Sequence, residues 1–336
     1  MKDDADLLLD VRDLRVTFRL REGLLKAVDG VDFVVRRQRT LGLVGESGCG
    51  KSVTVKAVLQ IVPWPGKVSG EIWLRRKAGG PPIDLGCLDP LGSEIRQVRG
   101  GEIGMIFQEP MKALSPVHTI GNQIMEGILL HATRDPKTAY EMAVEMLARV
   151  RMANPRQRMS AYPHELSGGM RQRAMIAMAL ACHPSILIAD EPTTALDVTV
   201  QAEVLKLIKD LQLELGMSVI FITHDLGVVA EMADDVAVMY LGRIVEQCAV
   251  DAIFYEPLHP YTVELLRSIP ELGREPRTRL STIEGTVPTP LNLGKGCGFY
   301  SRCREAVAGT CDAEDPPLIE VRPGHRVRCL LRQPSP

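Results

Sequence analysis

Gly45-Glu46-Ser47-Gly48-Cys49-Gly50-Lys51-Ser52 is the stretch on which the fold turns. It fits the pattern G-x-x-x-x-G-K-[ST]. A short apolar run, Thr40-Leu41-Gly42-Leu43-Val44, precedes it, and Val53 to Val62 follows with helical spacing. A strand that passes through a glycine turn into a helix is the context that gives this pattern its chemistry. Glycines let backbone N–H groups turn inward around phosphate oxygens, and the helix N-terminus adds partial positive charge. Lys51 is expected to reach β- and γ-phosphates, and Ser52 to offer its hydroxyl to Mg²⁺. Gly45, Ser47, Gly48, Cys49, Gly50 and Val53 complete the expected nucleotide-contacting loop, with Cys49 a small filler rather than a redox group.

Outward from this loop the pattern alternates. Leu8 to Val35 reads as two strands separated by the turn-like Arg21-Glu22-Gly23. Pro63, Pro65 and Gly66 end the helix after the loop, and Glu71 to Leu74 is a further strand. Residues 78 to 93 are rich in Gly and Pro and read as loop. Ile103 to Phe107 is a buried strand, and 119 to 151 is helical with a break at Pro136. Gly168 to Cys182 is a helix, Ile186 to Ala189 a strand and Val198 to Leu215 a long helix. Ser218 to Thr223, Leu226 to Ala233 and Val236 to Tyr240 follow as strand, helix and strand. Such alternation predicts a mostly parallel, doubly wound α/β core. From Glu256 onward Pro density rises and periodicity fades, which places the expected boundary between a domain at 1–258 and an extension at 259–336.

The 336 residues carry 40 basic and 42 acidic side chains, a net charge of −2, so no broad basic field supports nucleic-acid binding. Aromatic residues are 4%, so aliphatic packing must dominate the core. No run of 18 apolar residues exists to span a bilayer, and Met1-Lys2-Asp3-Asp4 lacks a signal-peptide hydrophobic core. The expected location is cytoplasmic.

Two further stretches bear chemistry. Ile186-Leu187-Ile188-Ala189-Asp190-Glu191 is an apolar strand ending in two acids. Beside a phosphate loop, Asp190 suits Mg²⁺ and Glu191 suits the attacking water. Leu166-Ser167-Gly168-Gly169-Met170 precedes a helix rich in Ala and Met. Ser167 alone would serve as its cap, but a second glycine is poorly explained by capping, and two glycines with a hydroxyl form a second anion site.

In this order, phosphate loop, Gln108, Leu-Ser-Gly-Gly, Asp190-Glu191 and His224, the chain resembles the ATP-binding-cassette (ABC) ATPases over roughly residues 8 to 255. The resemblance implies a RecA-like core with an antiparallel β subdomain and a helical subdomain. It implies that Ser167, Gly168 and Gly169 contact the γ-phosphate of nucleotide held by an opposite subunit. It also makes Glu191 the residue that directs water, His224 the switch histidine, and Gln108 the loop glutamine that joins Ser52 and Asp190 on Mg²⁺. Ala195-Leu196-Asp197 matches the dimer-contact loop, and Phe18 is the candidate for stacking on adenine. Phe107-Gln108-Glu109-Pro110-Met111, His164 to Arg173, His259-Pro260-Tyr261-Thr262 and Gly285-Thr286-Val287-Pro288 resemble the dipeptide/oligopeptide importer subfamily. The importer resemblance implies a second ATPase subunit, either a paralogue or another copy, together with two transmembrane permeases, an extracytoplasmic binding protein and a peripheral position on the inner membrane face. A soluble ABC ATPase acting on ribosomes or DNA, or an importer of a nickel complex or sugar, is the alternative. His-Pro-Tyr-Thr is expected to carry no chemistry.

Cys297, Cys303, Cys311 and Cys329 fall within the last 40 residues, spaced C-x₅-C-x₇-C-x₁₇-C. Four thiolates in a reducing compartment favour a metal over disulfides, but the spacing leaves Zn²⁺, an iron–sulfur cluster and buried free thiols open. Resemblance to the importer tail implies a [4Fe–4S] cluster on these four residues, stapling a small Cys-rich extension.

Overall fold

The computed structural model describes residues 6–77, 79–109, 113–194, 196–268, 283, 285–291 and 294–332. Pro110 and Met111 of the importer-like motif and Ala195 of the expected dimer-contact loop lie outside them. The described chain forms two compact units. One takes the chain up to Leu8, Val35–Arg39 and Leu74–Ile222. The other takes Leu9–Val34, Thr40–Trp73 and everything from Thr223 onward.

In the second unit two long strands, β1 (Leu7–Leu20) and β2 (Gly23–Arg36), share a sheet with β4 (Lys67–Leu74), in the order β2-β1-β4. Their inward positions, among them Leu14, Val16, Val31, Phe33 and Val35, are buried, as the alternation predicts. β3 (Thr40–Val44) is buried along its whole length and pairs in parallel with β9 (Asp235–Tyr240), Leu41 opposite Asp235 and Val44 opposite Val238. α1 (Lys51–Val58) leaves the loop that follows β3. β10 (Arg243–Ala249), which runs into the helix α9 (Val250–Tyr255), pairs antiparallel with β9, and the sheet continues through β12 (His325–Val327) to β11 (Ile319–Arg322). The C-terminal segment therefore adds strands to an existing sheet. Its Phe299 packs with Tyr240, Tyr261, Val245 and Ile253 in one apolar cluster.

In the first unit three parallel strands run in the order β8-β7-β6: β6 is Ile103–Ile106, β7 Ile186–Asp190 and β8 Ser218–Thr223. α2 (Ser93–Val98) precedes β6. The helices α3 (Ile120–His131), α4 (Pro136–Arg149), α5 (Pro155–Arg158) and α6 (Gly168–Leu180) lie between β6 and β7, and α7 (Val198–Leu215) leads to β8. The break at Pro136 has a simple cause. Asp135 caps α4 by accepting from Thr138 N–H, and Pro136 takes the first turn, where no donor is needed. The 78–93 stretch is not all loop. It holds the two-residue β5 (Ile83–Asp84) and a turn of 3₁₀ helix at Leu85–Cys87, capped by Asp84. Among the described residues no helix is long and apolar enough to cross a membrane.

Candidate nucleotide site

The phosphate loop is shaped by its glycines and fastened from behind. Gly50 has φ +106°, and a Cβ there would lie 2.4 Å from the Ala27 carbonyl oxygen. A Cβ on Gly45 would lie 2.3 Å from the Met239 carbonyl oxygen. Only glycine fits either place. The Cys49 carbonyl accepts from Gly242 N–H at 2.8 Å, tying the loop to the β9–β10 turn. Lys51, at the start of α1, is 5% exposed, and its ammonium donates to the carbonyls of Gly45 at 2.7 Å and Glu46 at 3.0 Å. Cys49 is buried, and that burial raises its thiol's pKa, so it stays the small neutral filler expected. Ser52 and Val53 are half-buried in the first turn of α1. Phe18 is half-buried near the end of β1, and its ring edge faces Gly66, where an added Cβ would come within 2.8 Å.

In the other unit, β7 delivers Asp190, 3% exposed, and Glu191 just beyond it. Glu191 adopts φ +47°, a left-handed conformation that a non-glycine residue holds only when its surroundings enforce it. Its N–H donates to the Ile222 carbonyl at 3.0 Å. Its carboxylate accepts from the Gln108 amide at 3.0 Å and the Thr194 hydroxyl at 2.9 Å. Gln108 and Glu191, chosen from separate motifs, thus meet. Thr194 joins them without having been expected, although a hydroxyl three residues after a strand-end acid is a readable signal. Ser167 caps α6 by accepting from Met170 N–H at 3.4 Å. Ser167 and Gly168 are exposed, and Gly169 and Met170 half-buried. Asp197 caps α7 through Val200 N–H. In the second unit Asp225 caps α8 (Leu226–Met232) through the N–H groups of Gly227 and Val228, which leaves His224 exposed at the strand–helix junction.

Three contacts on the phosphate loop escaped sequence reasoning. Glu46 N–H donates to the Tyr261 hydroxyl at 2.9 Å, so the His-Pro-Tyr-Thr motif, expected to be inert, reaches the loop. The Glu46 carboxylate accepts two hydrogen bonds from Arg302. Arg302 lies 256 positions along the chain, a separation at which no local pattern gives a signal.

The tail corrects one expectation. All eight cysteines are free, and among the described residues no group of three or more His, Cys, Asp or Glu side chains is placed to hold a metal ion. The four tail thiols do share a neighbourhood. Burial pushes the Cys297 thiol up to about 11, and the nearby Cys329, Cys303 and Cys311 add to the rise. Burial also raises Cys303 and Cys329. The expected [4Fe–4S] cluster and its zinc alternative therefore gain no support from the arrangement.

The loop, the acidic strand end and the capped glycine turn define an ATP-binding cassette. Residues 28–194 match the family model described as ABC transporter, and residues 245–311 match the one described as the oligopeptide/dipeptide transporter C-terminal region. The chain belongs to the ABC transporter ATP-binding proteins, in the branch whose members are named for peptide transport. It is 51% identical over 97% of its length to the "Probable peptide ABC transporter ATP-binding protein y4tR" of Sinorhizobium fredii, covering 95% of that protein. It is 48% identical over 96% of its length to the oligopeptide transport ATP-binding protein AppD of Bacillus subtilis, of which 96% is covered. With the Escherichia coli oligopeptide transport ATP-binding protein OppD the identity is 45% over 98% of this chain and 94% of that one. Among solved structures, cbiO1 of Clostridium perfringens, part of a cbiONQ ABC transporter complex, superposes with TM-score 0.61 at 27% identity, over 75% of this chain and 92% of the other. The dimeric, ADP- and phosphate-bound ATP-binding cassette MJ0796, at 24% identity and TM-score 0.62 over 72% of this chain and 99% of that one, shares the fold.

Proposed function

We propose that this chain is the ATP-hydrolysing subunit of a di-/oligopeptide importer, and that it works by closing head-to-tail with a second ATPase subunit around MgATP. The relatives' names supply the cargo class. On this reading residues 1–258 carry the ATPase chemistry and 259–336 form an importer-specific extension. In the proposed cycle the Gly45–Val53 loop wraps the phosphates, and Lys51 leaves its own loop carbonyls for the β- and γ-phosphate oxygens. Ser52, Gln108 and Asp190 are hard oxygen donors suited to Mg²⁺, which supplies positive charge against the phosphate oxygens when bound. Glu191 orients and polarises the attacking water, with Gln108 and Thr194 fixing its carboxylate, while His224 contacts the γ-phosphate. Phe18 offers the stacking face for adenine. Loss of the γ-phosphate releases the pair, which moves two permease subunits as an extracytoplasmic binding protein delivers peptide. The ATPase pair sits on the cytoplasmic membrane face.

The observation that carries pairing is at Gly168. A Cβ there would meet nothing within 4 Å, and its φ is not left-handed. Neither this chain's packing nor its backbone calls for glycine there, whereas a nucleotide approaching the exposed Ser167–Gly168 turn from a partner does. Glu191→Gln protein with MgATP, alone or mixed with the sister ATPase, is expected to double in mass by light scattering. A mass that stays monomeric in both cases removes the proposal. No step is assigned to a tail metal. Anaerobically purified protein without iron, sulfide or zinc closes that question.

A further inference from the structure

Glu46, the second residue of the phosphate loop, sets an electrostatic problem: a carboxylate sits in a loop that must receive a triphosphate. The C-terminal region answers it. The Arg302 guanidinium forks onto Glu46, with Nη1 2.7 Å from Oε2 and Nη2 3.0 Å from Oε1. Arg302's side chain is 4% exposed and Glu46's 27%, so solvent screens the pair weakly. The guanidinium is itself held. Nη1 lies 3.4 Å from the Tyr240 hydroxyl, Nη2 donates to the Gly285 carbonyl at 3.3 Å, and the Tyr240 ring centroid is 5.7 Å away. The fully buried Tyr261 meanwhile accepts from the Glu46 N–H. The donors to the Glu46 carboxylate and the acceptor of its N–H both lie beyond residue 258, and a planar bidentate fork is a fixed geometry that a lysine would not reproduce.

We infer that Arg302 is a charge-compensating, positioning residue for ATP binding. It cancels the negative charge of Glu46 and holds that carboxylate off the phosphates, so the C-terminal region completes the nucleotide site of its own chain. The inference rests on the proposal that ATP binds at Gly45–Ser52. Arg302 contacts Glu46, Tyr240 and the Gly285 carbonyl rather than the residues assigned to the attacking water, so its removal is expected to act on binding and not on the hydrolytic step.

The two halves of the pair should shift affinity in opposite directions. Arg302→Gln leaves a bare carboxylate and is expected to weaken ATP binding about ten-fold, the scale of one charge-assisted hydrogen bond. The turnover at saturating ATP should hold. Glu46→Gln leaves an uncompensated cation and is expected to tighten ATP binding about three-fold by the same scale. The double variant should return to within about two-fold of wild type. The loss in Arg302→Gln should shrink as salt is added. Nucleotide titration and ATPase kinetics on the four full-length proteins measure all of this. A purely structural role would weaken both single variants and leave the double weakest. That pattern, or an unchanged KM in Arg302→Gln, overturns the inference. If Arg302→Gln does not fold, Glu46→Gln still decides: tighter binding supports the inference and weaker or unchanged binding sinks it. A wild-type protein that binds no ATP would instead refute the proposed function.

Discussion

Glu191 holds a backbone conformation that side chains avoid, and it does so at the end of an otherwise regular buried strand. Two donors, Gln108 and Thr194, meet its carboxylate. A strained residue kept in place by hydrogen bonds on both backbone and side chain is what a water-orienting carboxylate needs, since its direction must not drift. Glu191→Gln keeps the size and loses the charge. Hydrolysis should fall about a hundred-fold or more, the usual yield of a positioned general base, while ATP binding persists. Phosphate release and nucleotide titration on one preparation separate the two, and turnover near wild type would remove the assignment. Lys51→Ala is the complement. Its ammonium already makes two hydrogen bonds to loop carbonyls. In the proposed cycle those bonds are exchanged for phosphate contacts, so the loss should appear as a fall in ATP affinity of about ten- to a hundred-fold. Equal affinity in the two proteins would place the phosphates elsewhere.

At the scale of elements, the junction of β10, β12 and α10 (Pro260–Arg267) shows how the tail is fastened and how acid should loosen it. Glu246 on β10 is fully buried, which alone would raise its pKa. Its Oε1 lies 2.7 Å from His325 Nε2, and it accepts from the N–H groups of Leu258 at 2.6 Å and His259 at 2.9 Å. These hydrogen bonds outweigh burial and hold the carboxyl below its usual range. His259 Nδ1 accepts from Tyr261 N–H at 3.0 Å, capping α10, and burial lowers this imidazole's pKa to about 4. A histidine whose folded pKa is depressed leaves the unfolded chain binding more protons between the two values. Stability is therefore intact above about pH 6.5 and is lost as pH falls toward 4, by up to about 3 kcal/mol. The Glu246 contribution fades at still lower pH. Thermal melts from pH 7.5 to 4 should show this slope, and His259→Asn, which still caps, should flatten its upper part; an unchanged slope would locate the acid sensitivity elsewhere. These elements were also the least legible in the sequence. Long regular pieces such as Val198–Leu215 and Ser218–Thr223 could be read to the residue, because one period runs unbroken through each. β10 was missed because Glu246 and Gln247 interrupt its apolar alternation, and a buried acid makes sense only once its distant partners are known. β11 and β12 span four and three residues, too few for any period to register. The site motifs were legible because each is local. The Arg302–Glu46 pair was not, because it is made by the fold.

For the whole molecule the consequence is that the C-terminal segment is part of the nucleotide-side unit. It extends that unit's sheet, shares its apolar cluster, and is pinned by Arg243 to Asp315, Arg328 to the carbonyls of Ile244 and Pro316, and Arg332 to the carbonyl of Leu258. A single chain leaves Ser167 and Gly168 of the glycine turn exposed. A bulky charge placed there can therefore be inserted at little cost to folding, since Gly168 has open space where its side chain would begin. Gly168→Arg should leave the melting temperature and the ATP affinity of the isolated chain within about 0.5 kcal/mol of wild type, as for an ordinary surface change. Hydrolysis by the assembled transporter should nevertheless fall, because in the proposed pairing the altered turn faces the nucleotide on the partner's phosphate loop. Combining the variant with a partner ATPase whose own glycine turn is intact and whose phosphate-loop lysine is replaced tests this directly. The site made from this chain's phosphate loop and the partner's turn should bind ATP, and the opposite site should not. If Gly168→Arg weakens ATP binding by the lone chain, the turn serves its own nucleotide and the head-to-tail arrangement is wrong.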